Sequence, residues 1–212
     1  MDKADHLIEG KRLVIQVYGE AMRRFRPDWV ELDFVLESFH PDYEVSLQEV
    51  ERKRGQLEQE VVALGFSLSD LKTTDFRIFP IYQSDDKGRR LTGFQAHHAL
   101  RLRFPLNPEH LTNTLARLVA SQAQPALHLA FTLKDPESLK QMLIGQAIDN
   151  ARQKAERIAE TLGLRLGRVV FVEEVSNPSP SYRTFAQVER HTPIVPEGIP
   201  LQIELKIQWE AL

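Results

Sequence analysis

Apolar and polar residues alternate through the first third of the chain. Leu13, Ile15 and Val17 alternate up to Gly19, which predicts a short strand. Beyond the basic segment Met22-Arg23-Arg24-Phe25-Arg26 and Pro27-Asp28, a sharper pattern begins. Val30, Leu32, Phe34 and Leu36 share one face and Glu31, Asp33 and Glu37 the other, the period of a half-buried strand. The spacing then changes to three and four. Tyr43, Leu47, Val50, Leu57, Val61 and Leu64 form a helical seam interrupted only by Arg54. Pro41 suits the first turn of that helix and Gly65 the position just past its end.

Two strands over about 72–82 and 91–104 follow, joined by a hairpin turn at Ser84-Asp85-Asp86-Lys87-Gly88. Asn107 and Pro108 open a short helix over about 108–121, and a strand over about 126–133 comes next. Asp135-Pro136-Glu137 begins the longest helix by N-cap, first-turn proline and first-turn acid together. Its apolar face holds Leu139, Leu143, Ala147, Ala151, Ala155, Ile158 and Leu162, and Gly163 closes it. Ala147, Ala151, Ala155 and Ala159 recur every four residues, a ridge low enough for close packing on a sheet or on another helix. Strands over about 168–175 and 201–209 complete the pattern, the last with an all-polar face of Gln202, Glu204, Lys206, Gln208 and Glu210.

This order predicts an α+β fold: a mainly antiparallel sheet of about seven strands, with two long helices and one short helix packed on one face. The chain reads as one domain over residues 1–212, containing two strand–helix–strand–strand segments at 28–104 and 126–210. At an offset of 98 residues Pro27 meets Pro125, Arg54 meets Arg152, Glu58 meets Glu156, Leu64 meets Leu162 and Gly65 meets Gly163. Prolines before strands and glycines after helices recur for generic reasons, so a duplication and a coincidence both account for these matches. The outward charges Glu31, Asp33, Glu37, Arg101, Arg103, Glu204 and Lys206 read as a solvated face.

Composition narrows the function classes. The 212 residues are 42% apolar and 27% charged, the balance of an ordinary soluble globular protein. A net charge of −3 argues against a dedicated nucleic-acid binder. With no cysteine, the chain has no disulfide, no thiolate chemistry and no Cys-ligated metal. No apolar run approaches the ~18–20 residues of a membrane span, and no signal-peptide core precedes Leu13. As given, the chain reads as cytoplasmic; a trimmed leader would make it periplasmic.

Candidate chemistry is sparse. Phosphate-loop, dinucleotide, nucleophile-elbow and metalloprotease motifs are absent. His97 and His98 are strand neighbours and point to opposite faces, so they do not chelate one ion together, and His98 reads as a core or interface histidine. His40-Pro41-Asp42 copies the J-domain tripeptide, but between a strand and a helix it has the wrong context. No cofactor or metal is expected. The candidate interaction surface comprises Arg23, Arg24 and Arg26, together with Tyr182, Arg183, Glu189, Arg190 and His191 in the proline-rich connection at 176–198. Three function classes follow: self-assembly through sheet edges and this loop, a ligand or enzyme cleft beside the loop, and an adaptor that adds a peptide strand to an edge.

A run of landmarks carries a family resemblance. Val17-Tyr18-Gly19-Glu20-Ala21 before Pro27-Asp28 is similar to the opening "V-x-G-x-G/A…P-D" of the SIMPL-domain family. Leu64-Gly65, Leu71-Lys72-Thr73-Thr74-Asp75-Phe76, Pro80-Ile81-Tyr82 and Leu91-Thr92-Gly93-Phe94-Gln95-Ala96 resemble its middle. Ala147, Ala151-Arg152, Lys154-Ala155, Ala159 and Leu162-Gly163 resemble its most specific helix. The resemblance spans residues 13–210 and implies an α+β fold, higher-order and sometimes ring-like self-assembly in some members, and a link to stress tolerance or the cell envelope. It supplies no catalytic residues. The partner it implies is a second copy of the chain, with no nucleic acid and no transmembrane segment.

Overall fold

The structure, a computed structural model, describes residues 13–85, 88–175, 184–185 and 196–212. The described residues form seven long strands and one of two residues, all paired antiparallel and shared between two sheets, with three α-helices. Contacts gather the described residues into two units: those within 13–25, 135–175 and 198–212 form the first, and those within 26–134, with 184–185 and 196–197, the second.

The second unit is the larger. Strands β2 (Trp29–His40), β3 (Leu71–Asp85), β4 (Gly88–Pro105) and β5 (Ala126–Thr132), with the two-residue β7 (Thr184–Phe185), form a sheet in the order β3-β4-β2-β5-β7. Helix α1 (Tyr43–Ala63) packs on β2 and β4, and α2 (Pro108–Val119) completes the layer. The alternation in β2 works as its period predicts: Val30, Leu32, Phe34 and Leu36 are buried with Val50, Leu57 and Val61 of α1 and with Leu111, Leu115 and Leu118 of α2. Asp42 caps α1, its carboxylate accepting from the N–H groups of Glu44 and Val45 at 2.8 and 3.1 Å, so Pro41, expected in the first turn, lies just before the cap. The buried hydroxyl of Ser38 donates to the Ser46 carbonyl at 2.6 Å, and the Ser46 hydroxyl donates to the Phe94 carbonyl at 3.1 Å, which ties α1 to both central strands.

The first unit is a three-stranded sheet in the order β1-β8-β6, built from β1 (Val14–Phe25), β6 (Leu166–Glu174) and β8 (Ile199–Ala211), with α3 (Pro136–Thr161) on one face. The expected short strand ending at Gly19 is instead twelve residues long and includes the basic segment. Gly19 is where α3 comes closest: a Cβ there would collide with the Ala147 carbonyl oxygen and lie 2.6 Å from the Ala151 Cβ. The alanine ridge therefore packs on a sheet. Leu143, Ala147, Ala151, Ala155 and Ala159 are buried, whereas Ile158 and Leu162, expected on that face, are exposed beside it. Asp135 caps α3 through the Ser138 N–H at 3.0 Å, and Gly163 follows it with φ +70°.

Candidate functional site

In the first unit a groove of about 870 Å3 runs between α3 and β1. Val17 and Tyr18 of β1 line it on one side and Asn150, Lys154, Arg157, Ile158 and Leu162 on the other, so apolar and polar groups both face it. Among the described residues β1 pairs only with β8, which leaves its other edge without a strand. The Leu13 carbonyl accepts from the Ala211 N–H, so odd-numbered residues of β1 direct their backbone groups to β8 and even-numbered ones to the open edge. Two side chains of α3 occupy part of that edge. Lys154 Nζ donates to the Tyr18 carbonyl at 2.9 Å, and the Glu20 N–H donates to Asn150 Oδ1 at 3.2 Å. Four residues on along the helix lie two residues back along the strand, so α3 and β1 run antiparallel. Lys154 also lies 3.5 Å from Glu20, while Arg157 makes no ion pair among the described residues.

β6 forms the opposite edge of the same sheet. Val169, Val170, Phe171 and Val172 are all exposed, Val172 by 55%, followed by exposed Glu173 and Glu174. Such a continuous apolar run normally belongs to a strand covered on both sides. A bulge falls between the partners Val169↔Trp209 and Phe171↔Gln208, and beyond it the pairing is regular through Val172↔Ile207 and Glu174↔Leu205.

The second unit carries a ladder of charge. Arg101 Nε sits 2.6 Å from Asp33 Oδ1 and 3.1 Å from Glu31 Oε1, and Arg103 Nε 3.5 Å from Glu31 Oε2. The hydrogen bond to Asp33, with both carboxylates adding their attraction, raises the Arg101 guanidinium pKa. Glu31 is not solvated as its alternation suggests. It is 4% exposed because β4 and β5 flank it and two guanidinium groups neutralise it. Farther along, His97 lies 3.4 Å from Glu37 and 3.7 Å from Asp75.

His98 faces the other way, 5% exposed, with Nε2 3.0 Å from Thr73 Oγ1 and its ring edge-on to Phe76. Burial, with Arg54 of α1 adding to it, pulls its pKa below the ordinary imidazole range. Arg54, the polar residue in the α1 seam, is held by Glu58 at 3.6 Å. Among the described residues no group of three or more His, Asp or Glu is placed to hold a metal ion. No helix there is long and apolar enough to cross a membrane.

Of the expected interaction surface, Arg23 and Arg24 lie on β1 and Arg26 just beyond it. Arg24 donates to the Gly198 carbonyl at 3.4 Å, and Arg23 stacks over the Phe25 ring at 5.3 Å. Tyr182, Arg183, Glu189, Arg190 and His191 lie outside the described residues, as does most of the proline-rich connection. Lys154, Arg157 and the β6 run did not stand out in the sequence as a site. A hint was present in the four consecutive apolar residues before Glu173-Glu174.

An α+β fold of two antiparallel sheets is the class of protein these features define. The chain belongs to the SIMPL family, described as a protein of unknown function (DUF541), whose pattern matches residues 15–209. No curated protein matches it. A solved structure described as a hydrolase from Listeria innocua is 14% identical, with 90% of this chain and 91% of that one covered, at a TM-score of 0.17, too low to carry an argument.

Proposed function

We propose that this protein works through its surfaces as a self-assembling or binding scaffold, without a reaction centre of its own. The observation that supports this reading best is β6, a strand with no neighbour on its outer edge among the described residues and with four exposed apolar residues in a row. Exposed apolar edges promote association, and proteins that remain monomeric generally shield them. The charge ladder points the same way, since Arg101 is committed to Glu31 and Asp33 as a tie between strands. A role in stress tolerance or the cell envelope, as the family resemblance implies, completes the proposal.

Size-exclusion chromatography with light scattering on the full chain tests it. A discrete oligomer at tens of micromolar is expected, and a clean monomer at that concentration removes the reading's main support.

A further inference from the structure

The two open edges of the first unit's sheet complement each other. Each is antiparallel to β8, so β1 and β6 run parallel to one another. Copies related by rotation about an axis along the strands would therefore bring β6 of one copy alongside β1 of the next in a parallel joint, a head-to-tail contact of the kind that closes rings.

Backbone parity fits such a joint. Along β1 the residues facing the open edge, Gln16 and Tyr18 among them, carry their side chains away from α3, because the buried Ile15 and Val17 point toward it. Along β6 the Val175 N–H donates to the Glu204 carbonyl, so Val172 and Glu174 face the open edge. Their side chains lie on the α3 face, opposite buried Ile207 and Leu205. In a parallel ladder an edge-facing residue sits beside a neighbour whose groups point away. Edges of opposite parity therefore join in parallel with both α3 faces on the same side.

Chemistry fits as well. A parallel β6 strand brings Val172 and Glu174 over the groove, about 6.6 Å apart along the strand. Lys154 precedes Ile158 by about 6 Å along the helix, whereas Val172 precedes Glu174 along the strand; a β6 strand parallel to β1 runs antiparallel to α3, so the two orders match in space. Glu174 thus meets Lys154 and Arg157 as Val172 meets Ile158, while Phe171, on the other face, reaches Gln16 and Tyr18. Neither Arg157 nor Glu174 has an ion-pair partner among the described residues.

We infer that β6 of one copy docks in the α3–β1 groove of the next, its Glu174 carboxylate paired with Arg157 and Lys154 and its Val172 seated against Ile158. This rests on the self-assembly reading and names the surfaces that would perform it. The test compares the full-length protein with Arg157→Glu, Glu174→Arg, the double variant Arg157→Glu/Glu174→Arg, and Val172→Lys, by light scattering across a dilution series. All three sites are exposed, and circular dichroism checks that each variant keeps its secondary structure. Each single variant should dissociate at a concentration at least about tenfold higher than the parent, and the double variant should recover the parent's mass. Single variants that assemble like an oligomeric parent overturn this docking while leaving self-assembly standing, and failure of the double variant to recover overturns the Glu174–Arg157 pairing. A monomeric parent overturns both the docking and the reading beneath it.

Discussion

Gly19 lies beneath Ala151 so closely that an added methyl group would sit 2.6 Å from the alanine Cβ. The two residues are far apart in sequence, and each belongs to one of the family landmarks. Their contact sets the height of α3 over β1, and hence the width of the groove beside it. Gly19→Ala should cost about 1–3 kcal/mol through overpacking. Gly55→Ala in α1, where an added Cβ meets nothing within 4 Å, should stabilise by about 0.5–1 kcal/mol. Thermal or denaturant unfolding of the two variants side by side should show opposite shifts.

A second prediction concerns the β1 edge. Asn150→Ala leaves the Glu20 N–H without its side-chain acceptor, and Lys154→Met removes the donor to the Tyr18 carbonyl. Each should cost about 0.5–1.5 kcal/mol. Hydrogen exchange should accelerate at the Glu20 amide in Asn150→Ala, with little change at amides in the middle of β8.

The ion-pair ladder gives a third. Arg101→Met removes the nearer guanidinium from the buried Glu31 carboxylate, leaving Arg103 at 3.5 Å, and should cost about 2–3 kcal/mol. Glu31→Gln in the Arg101→Met background should recover part of that loss. A double-mutant cycle on denaturant unfolding reads the coupling, expected at about 0.5–3 kcal/mol.

The fourth is a pH dependence. His98 is buried, and its pKa is held below that of the unfolded chain chiefly by loss of solvent. Arg54 and His97 lower it further, against the opposing pull of Glu58 and Glu51. As pH falls below about 6.5, the unfolded chain takes up a proton at this position before the folded one does. Stability contributed here is therefore full above that pH and lost as pH falls toward the depressed folded value, with a limiting slope of about 1.4 kcal/mol per pH unit. Unfolding of His98→Gln measured from pH 7.5 to 5 should lack this component of the slope.

Local chemistry made most of the elements legible in the sequence. The caps at Asn107 and Asp135 and the glycines at 65 and 163 mark helix ends where the structure has them, because those signals act within a few residues. Partners that come from far away were harder to read. Gly19 looks like a strand terminator until α3 is placed over it, and Glu31 looks solvated until Arg101 and Arg103 arrive from β4. The Val169–Val172 run has the composition of an interior strand, and an apolar pattern does not encode whether a second neighbour exists. The groove was least legible, since it depends on how far Ile158 and Leu162 turn away from the alanine ridge.

The position of β8 in its sheet also bears on how the chain is made. This strand lies between β1 and β6, and the ribosome synthesises it after both. Until it emerges, the two flanking strands have no template between them, and α3 lacks part of the surface it covers. The 26–134 segment, whose four long strands are consecutive, is free to fold during translation. Nascent chains arrested before residue 199 should then hold one folded body and one stretch of exposed, aggregation-prone polypeptide, a natural point of engagement for chaperones.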